Sequence, residues 1–477
     1  MTAASRELHI TQALNAHRDQ PGGGEQTGLS LGGSRRLLPV IELPLNVPIL
    51  NARSFRISAY LDSHPKRALV ESDPESAESQ EVVANLVRQS HRHRDDLKES
   101  LRADGQEQVG VITRSGKLIN GNSRCVLLRD LLKEGKIAPA STIRVAVLPA
   151  DVGNAEQLLL ENTFQRQNPF IDDYNLVGYL QMLQALADSG LSDQAIAAQE
   201  RGISAKRVKE LREVLVLMNR ARTLPSKPLP ISAFIREENQ QENWLALRNK
   251  VQEIDSLHPD RQAGDDFIRQ WLLSFFTDHD SVHQLRNVTE EWVQRDVLPH
   301  LVDAGKDGEL IHDHATAVAP ESSEDAITEV APAGLDLLGG EDEVDSPKTA
   351  AAQTLLDLAV QSAQDPDQEI TLPDGSTRTG QEIQKVLKAA VREGLDESAQ
   401  RRKNSNRLTR PQTEADNAAQ SLKRLLEAIE DVAEDADFTP RLGDLRTSLD
   451  TIQSRLEEAN DLLSAIPAME ADEEPTE

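Results

Sequence analysis

The dipeptide Asn168-Pro169 separates two parts of the chain that differ in the spacing of their apolar residues. Before it, short apolar runs of strand length, such as Val109–Thr113 and Ile143–Leu148, alternate with helical segments. After it, the apolar residues recur with helical spacing. Proline lacks the N–H that helices and sheets need, so a boundary here is physically reasonable. The sequence therefore predicts an α/β N-terminal domain followed by an all-α region.

Changes in composition divide the 477 residues further. The predicted segments are a disordered tail at 1–36, the α/β domain at 37–168, a helix-turn-helix domain at 169–230, a helical extension at 231–303, an acidic linker at 304–348, a small helix-hairpin-helix unit at 349–398 and coiled-coil helices at 412–466. The tail and the linker are polar and contain scattered Gly and Pro, which favours disorder. The proline-broken run Leu38–Leu50 predicts an extended strand at a sheet edge.

Charge is distributed unevenly along the chain. Residues 34–230 contain 27 Lys/Arg and 24 Asp/Glu, whereas residues 231–477 contain 23 and 53. The overall charge of −28 therefore does not exclude nucleic-acid binding by the N-terminal half. The acidic C-terminal half is instead expected to recruit protein partners.

The single cysteine, Cys125, excludes an internal disulfide and a multi-cysteine metal site. We expect it to be a small buried residue on a helix. No apolar run approaches the roughly 18 residues of a membrane helix, and no signal-peptide pattern is present. These features predict a cytoplasmic protein without a membrane contact.

The C-terminal tail carries apolar residues at alternating steps of three and four. The first series lies within 415–432, and after Pro440 a second runs through Leu445, Leu449 and Ile452. This is the seam of a coiled coil, interrupted once. The two helices are expected either to fold back on each other or to pair with a second chain, and we expect self-association.

The loop Asn120-Gly121-Asn122-Ser123-Arg124 joins a short strand to a helix. Glycine allows a ligand to approach the backbone, a helix N-terminus presents free N–H groups, and arginine can bind phosphate with two hydrogen bonds. These features are typical of a phosphate site. A plain connection between a hairpin and a helix has the same pattern.

A second motif, Glu161-Asn162 followed by Arg166, lies at the end of a predicted helix. An adjacent carboxylate and amide could hold a hard cation such as Mg²⁺. The alternative is a helix end at which Glu161 is solvated and Asn162 is a cap.

The order of these motifs resembles the ParB-type partition protein family, whose N-terminal domain has the ParB/sulfiredoxin-like fold. The resemblance covers roughly 185 residues and rests on Gly105-Gln106, the Gly121–Arg124 loop, Glu161-Asn162 with Arg166, and Asn168-Pro169. Ser123 stands where the family's loop carries the first of two arginines. The sulfiredoxins carry their catalytic cysteine at the position of Asn122, so no thiolate chemistry is expected here.

The resemblance implies that the loop 120–124 and Arg166 bind a nucleotide, CTP in the family. It also implies that Glu161 and Asn162 lie beside the accompanying magnesium. Nucleotide hydrolysis, and with it a nucleoside triphosphatase activity, is left open.

A helix-turn-helix is predicted from the residues alone. Ser192 begins one helix, Gly202 makes the turn and Ser204 begins a second helix with seven Lys/Arg and two Glu between Arg201 and Arg222. The N-terminal part of the second helix would contact DNA bases and phosphates. The predicted contact residues are Ser204, Lys206, Arg207, Lys209 and Arg212. A charged helix pair within a bundle would have the same pattern.

Three functions are compatible with this sequence. The first is a dimeric DNA-binding protein controlled by a nucleotide. The second is an enzyme on the same fold, a metal-dependent nuclease or phosphotransferase that uses Glu107, Glu161, Asp172 or Asp173. The third is a regulatory scaffold with a degenerate nucleotide site.

Overall fold

The computed structural model describes residues 1–22, 24–31, 34–91, 93–166, 175–200, 202–236, 240–258, 260–279, 282–317, 347–372, 374–432 and 442–465. Several residues with a role predicted from the sequence lie outside these ranges: Asn168-Pro169, Asp172, Asp173 and Arg201. Arg166 ends a helix, but its side chain is also outside the described part.

The N-terminal region contains a mixed five-stranded sheet. Its strands are β1 (Gln26–Leu31), β2 (Ser34–Pro44), β3 (Gly110–Ile112), β4 (Leu118–Asn120) and β5 (Thr142–Val147). The order across the sheet is β1-β2-β5-β3-β4. Only β3 and β5 pair in parallel; the other neighbours are antiparallel. Within the described residues, the helices that accompany the sheet are α1 (Ala3–Arg18), α2 (Phe55–Asp62), α3 (Arg67–Ser72), α4 (Ala77–Ser90), α5 (Arg94–Ala103), α6 (Asn122–Lys133) and α7 (Asn154–Arg166).

Alternate side chains of the sheet enter two different cores. Along β2, Leu38 and Val40 join one apolar cluster, whereas Ile41 and Leu43 join the other. Successive side chains of a strand point to opposite faces, so both faces of the sheet are covered. This burial confirms the mixed α/β character predicted for the N-terminal region.

Two predictions for the start of the chain are wrong. Residues 1–36 contain α1 and β1 instead of a disordered tail, because α1 buries Ile10 and Leu14 and β1 pairs along β2. For the same reason β2 is not an edge strand: it lies between β1 and β5. Its prolines are tolerated since Pro44 lies at the strand end and Pro39 lies opposite Gln26, the first residue of β1.

The chain beyond α7 is mostly helical. The helices are α8 (Leu176–Asp188), α9 (Asp193–Gln199), α10 (Ala205–Ala221), α11 (Gln241–Leu257), α12 (Gln262–Phe276), α13 (Val282–Leu285), α14 (Leu298–Asp303), α15 (Lys306–Ala317) and α16 (Pro347–Gln364). One core cluster runs through them and includes all three tryptophans. The predicted linker at 304–348 is therefore wrong at its start, since α15 buries Ile311 and Ala315 in this core.

The short strands β6 (Glu369–Thr371) and β7 (Thr377–Thr379) form the predicted hairpin after α16. The next helix, α17 (Gly380–Val432), is 53 residues long and contains Pro411. Its first part buries apolar residues such as Leu387 and Val391 in the helical core.

Residues 400–477 form a second unit, separate from the unit of residues 1–399. It contains the end of α17 and the helix α18 (Leu442–Ser464). In both units, the described helices include none that combines a bilayer-spanning length with an apolar composition.

Candidate functional site

The loop between β4 and α6 has the conformation that the sequence pattern requires. Gly121 adopts a φ of 112°, in the left-handed region that favours glycine, and is the N-cap of α6. No capping hydrogen bond from a side chain is present at this helix end in the described structure. The first N–H groups of an α-helix have no partner within the helix, so α6 can present them to an anion.

All five residues of this loop line a cavity of about 680 Å³. Its other walls come from the start of α2, from α4 and α5, and from the segment that leads into β3. These walls are Ser54, Arg56, Ile57, Val87, His91, His93, Asp96, Leu97, Ser100, Leu101, Gly105, Glu107, Gln108 and Ile119. The cavity thus combines cations and helix N–H groups at the loop with apolar side chains on α2, α4 and α5.

Arg124 is the buried cation of this cavity. The residue is only 7% exposed. Its Nη2 donates a hydrogen bond to Gln108 Oε1. Its Nη1 has no hydrogen-bond partner in the described part of the chain. Burial, with a smaller contribution from the cation of Arg56, lowers the pKa of Arg124 to about 10. A buried guanidinium with an unused N–H group is suited to an incoming anion.

Arg56 is a second buried cation at the loop, and no sequence motif predicted its place there. Its Nη1 donates to Ser123 Oγ at 3.4 Å. It lies on α2, three residues after Asn-Ala-Arg at 51–53, so only the tertiary structure brings it to the loop. Two guanidinium groups and a helix N-terminus therefore meet at one end of the cavity.

Reciprocal hydrogen bonds hold the loop to the segment before α2. Asn51 N donates to Asn122 Oδ1 at 2.9 Å, and Asn122 Nδ2 donates to Asn51 O at 3.1 Å. The Asn122 side chain is thereby used to position the backbone. This contact explains why an amide residue follows the glycine here.

Glu161 and Asn162 are buried but are not among the residues that line the cavity. Glu161 Oε1 accepts a hydrogen bond from Phe55 N at 3.2 Å, and Oε2 accepts one from Asn51 Nδ2 at 3.4 Å. Glu161 therefore binds the N-terminus of α2, where an anion is favoured. It is neither the solvated residue of the alternative interpretation nor a carboxylate that faces the cavity.

Asn162 points toward the helical region. Its Nδ2 donates to Glu200 Oε1, while its buried Oδ1 has no partner in the described structure. Within the described ranges, no three His, Cys, Asp or Glu side chains are grouped so that they could hold a metal. In this arrangement the pair does not fit a direct magnesium site, and the magnesium role predicted for it stays a prediction.

Cys125 lies on the buried side of α6 and is fully covered. Burial raises the pKa of its thiol, which disfavours the reactive thiolate. The prediction of a small buried cysteine is confirmed.

The residues predicted to contact DNA lie on α10 but differ in their surroundings. The side chains of Lys206 and Lys209 are 86% and 68% exposed. Arg207 binds Glu242 of α11, and Arg212 Nη1 lies 2.7 Å from Asp193 Oδ1 on α9. Ser204 caps α10 by accepting from Arg207 N at 3.2 Å. The structure thus leaves the two lysines exposed and uses the other three residues in internal contacts.

No family model and no curated protein matches this chain. Among solved structures, a Pnob8-like ParB-N domain is similar over 60% of this chain and 94% of that domain, with 14% sequence identity and a TM-score of 0.23. At this TM-score the likeness carries no argument about the site, whose chemistry follows from the residues described above.

Proposed function

We propose that the cavity binds a nucleotide and that α10 binds DNA, in a ParB-like protein that self-associates through its C-terminal helices. The observation that carries the nucleotide part is the buried Arg124 Nη1, which has no hydrogen-bond partner among the described residues and lies beside the N-terminus of α6. Leaving a buried donor unsatisfied costs roughly 1–3 kcal/mol, more for a charged group. An anion in the cavity would remove that cost.

Arg56 supports a phosphate rather than a carboxylate as this anion. A phosphoryl group has several oxygens, and here Arg124, Arg56 and the α6 N–H groups approach one region from different elements. Ser123 stands where the ParB-type loop carries an arginine, and Arg56 contacts that serine. In this proposal Arg56 supplies the second guanidinium from another part of the chain.

The apolar wall of the cavity supports a nucleoside rather than free phosphate. Ile57, Leu97 and Leu101 lie on this wall, and His91 and His93 add rings that can stack or donate hydrogen bonds. The volume of about 680 Å³ is in the range of small-ligand sites. CTP is the nucleotide implied by the family resemblance, and magnesium would enter with its phosphate oxygens.

Isothermal titration calorimetry on the full chain tests the nucleotide site. CTP, ATP, GTP and inorganic triphosphate are titrated into the wild type and into Arg124→Gln and Arg56→Gln. We expect each variant to weaken binding by about 30-fold or more, equivalent to about 2 kcal/mol. Arg114→Gln, at an exposed position outside the cavity, is the matched control. Unchanged affinity in Arg124→Gln would contradict the proposal.

Exposed lysines at the start of α10 support the DNA part. Lys206 and Lys209 are exposed and lie 3.9 Å from Glu210 and Glu213 of the same helix, whereas Arg212 donates hydrogen bonds to Asp193 and Gln184. The two lysines are therefore the cations that a DNA phosphate can reach most easily. In electrophoretic shifts we expect Lys206→Ala/Lys209→Ala to weaken duplex binding, most clearly at low salt. Lys250→Ala, on the neighbouring α11, serves as a control. If no duplex is shifted even at low salt, this part of the proposal is wrong.

A further inference from the structure

A cluster of cations lies where the chain is otherwise acidic. Residues 398–413 contain five Lys/Arg (Arg401, Arg402, Lys403, Arg407 and Arg410) and no Asp or Glu. The half of the chain around them, from residue 231, has 23 Lys/Arg against 53 Asp/Glu. A local excess of positive charge within an acidic region is typical of a surface that binds a polyanion.

The cluster lies on α17, within the second unit, and is open to solvent. Residues 402–410 are all exposed. Lys403 and Arg407 make no ion pair within the described part of the chain, and Arg410 Nε lies 3.7 Å from Glu414 Oε1. Among the described residues, no carboxylate therefore neutralises Lys403 or Arg407.

Helical spacing brings three of these cations to one face. Lys403, Arg407 and Arg410 follow each other at four and three residues, which are neighbouring positions on a helix surface. They span about 10 Å along the axis. Double-stranded DNA carries one charge per roughly 1.7 Å of its axis, so several phosphates lie within that length.

The remaining side chains of the segment favour nucleic acid over a lipid surface. Leu408 is the one large apolar residue within 401–410, whereas Asn404, Ser405, Asn406 and Thr409 are polar. A helix that lies on a membrane needs a continuous apolar face to insert. Short polar side chains beside Lys and Arg are instead typical of contacts with the sugar-phosphate backbone.

We propose that residues 401–410 of α17 form a nucleic-acid contact that is independent of base sequence and separate from the one proposed for α10. It binds the phosphate backbone through Lys403, Arg407 and Arg410. It does not depend on the nucleotide cavity or on the helix-turn-helix interpretation.

The test uses the full chain and a fluorescent random-sequence duplex of about thirty base pairs, with anisotropy measured at several salt concentrations. In the triple variant Lys403→Gln/Arg407→Gln/Arg410→Gln, the slope of log K against log salt should fall by about 2.7, since each lost phosphate contact removes about 0.9. Affinity at low salt should fall at least tenfold.

Lys423→Gln/Arg424→Gln/Arg446→Gln is the matched control, because it removes the same charge from exposed positions of the same unit. It should change affinity less than twofold. Equal helix content by circular dichroism checks that both variants fold. An equal loss in both variants, or an unchanged slope in the first, overturns the proposal.

Two further experiments distinguish this contact from DNA binding by α10 and from lipid binding. When the triple variant is combined with Lys206→Ala/Lys209→Ala, the slope of log K against log salt should still fall. That result supports the contact at residues 401–410 even if α10 does not bind DNA. Flotation with phosphatidylserine vesicles tests the lipid alternative. Vesicle binding that the triple variant abolishes, with duplex binding unchanged, would overturn the proposal.

Discussion

The charge of Arg124 is unfavourable for folding when no anion is bound. A lowered pKa means that the folded chain disfavours the charged form, so the cost is present at every pH below about 10. It is relieved as the pH rises above about 10 toward the higher, ordinary pKa of an arginine. A pKa lowered this far corresponds to about 3 kcal/mol. An anionic ligand would offset this cost, which is why the same residue can be unfavourable for stability and favourable for binding.

The first prediction follows from that cost. Without ligand, Arg124→Gln should be more stable than the wild type by roughly 1–3 kcal/mol at pH 7, because an uncharged amide replaces a buried cation. Hydrogen–deuterium exchange over residues 110–133 should become at least about fivefold slower. Adding triphosphate should slow exchange in the wild type only. Faster exchange in the variant without added ligand would show that the charge of Arg124 stabilises the fold by itself.

Gly121 gives the second prediction. An added Cβ would lie 3.4 Å from Gly110 Cα and 3.9 Å from Arg124 Nη1, and the φ of 112° is strained for alanine. Gly121→Ala should cost about 1–2 kcal/mol of stability and also weaken anion binding about tenfold. Gly135→Ala, at a φ of 67° with open space around it, should lose stability but keep its affinity. Equal affinities in the two variants would contradict the role of Gly121.

At the scale of elements, α7 connects the sheet region with the helical region. Glu161 accepts a hydrogen bond from Phe55 N at the N-terminus of α2. The next residue, Asn162, donates to Glu200, which directly follows α9. Tyr179 of α8 donates its hydroxyl to Glu200 Oε2 at 2.9 Å. Adjacent residues on a helix point in different directions, so one pair can hold two regions. We infer that this pair stabilises the junction.

The third prediction tests this junction. Tyr179→Phe should lower the free energy of unfolding by about 1–2 kcal/mol, and Glu200→Ala by about 3–4 kcal/mol, since the alanine removes the carboxylate that accepts from the buried Asn162 amide and from the half-buried Tyr179 hydroxyl. Tryptophan fluorescence reports the change because all three tryptophans lie in the helical core. The double variant should lose less than the sum of the two. Strict additivity would mean that the hydroxyl and the carboxylate do not interact.

At the scale of the whole molecule, the C-terminal unit has too little core to cover its apolar seam. No residue of α18 is fully buried, and Leu445, Leu449 and Ile452 are half-buried. Leu456, Leu462 and Leu463 are 49%, 72% and 64% exposed. Apolar side chains at heptad spacing gain free energy when a second helix covers them. The self-association expected from the sequence therefore remains the expected state of the full chain.

The fourth prediction concerns this association. Analytical ultracentrifugation of the wild type at micromolar concentration should give a dimer or a larger species, and Leu445→Lys/Leu449→Lys should shift it toward monomer by at least tenfold in Kd. Thr447→Lys/Arg446→Gln, at exposed positions between them, should leave association unchanged. A wild type that is monomeric across the concentration range would contradict the prediction.

Local sequence patterns predicted the structure correctly wherever that structure depends on residues close together in the chain. The strand-glycine-helix order of 118–133, the hairpin before α17, the buried Cys125 and the Ser204 cap each depend on neighbouring residues, and each was predictable. The polar composition of residues 1–36 led to a wrong prediction of disorder. Pairing of β1 with β2 and the burial of a few apolar side chains outweigh that composition.

Tertiary structure alone decided which distant groups share the cavity and which do not. The sequence by itself determined a glycine loop with Arg124, a boundary between sheet and helices, and a seam at heptad spacing. Folding brought Arg56 to Ser123 across 67 positions and turned Glu161 and Asn162 toward other partners. Such contacts depend on the packing of separate elements, and no local spacing encodes them. The local geometry of the loop was therefore predictable from the sequence, and the composition of the cavity was not.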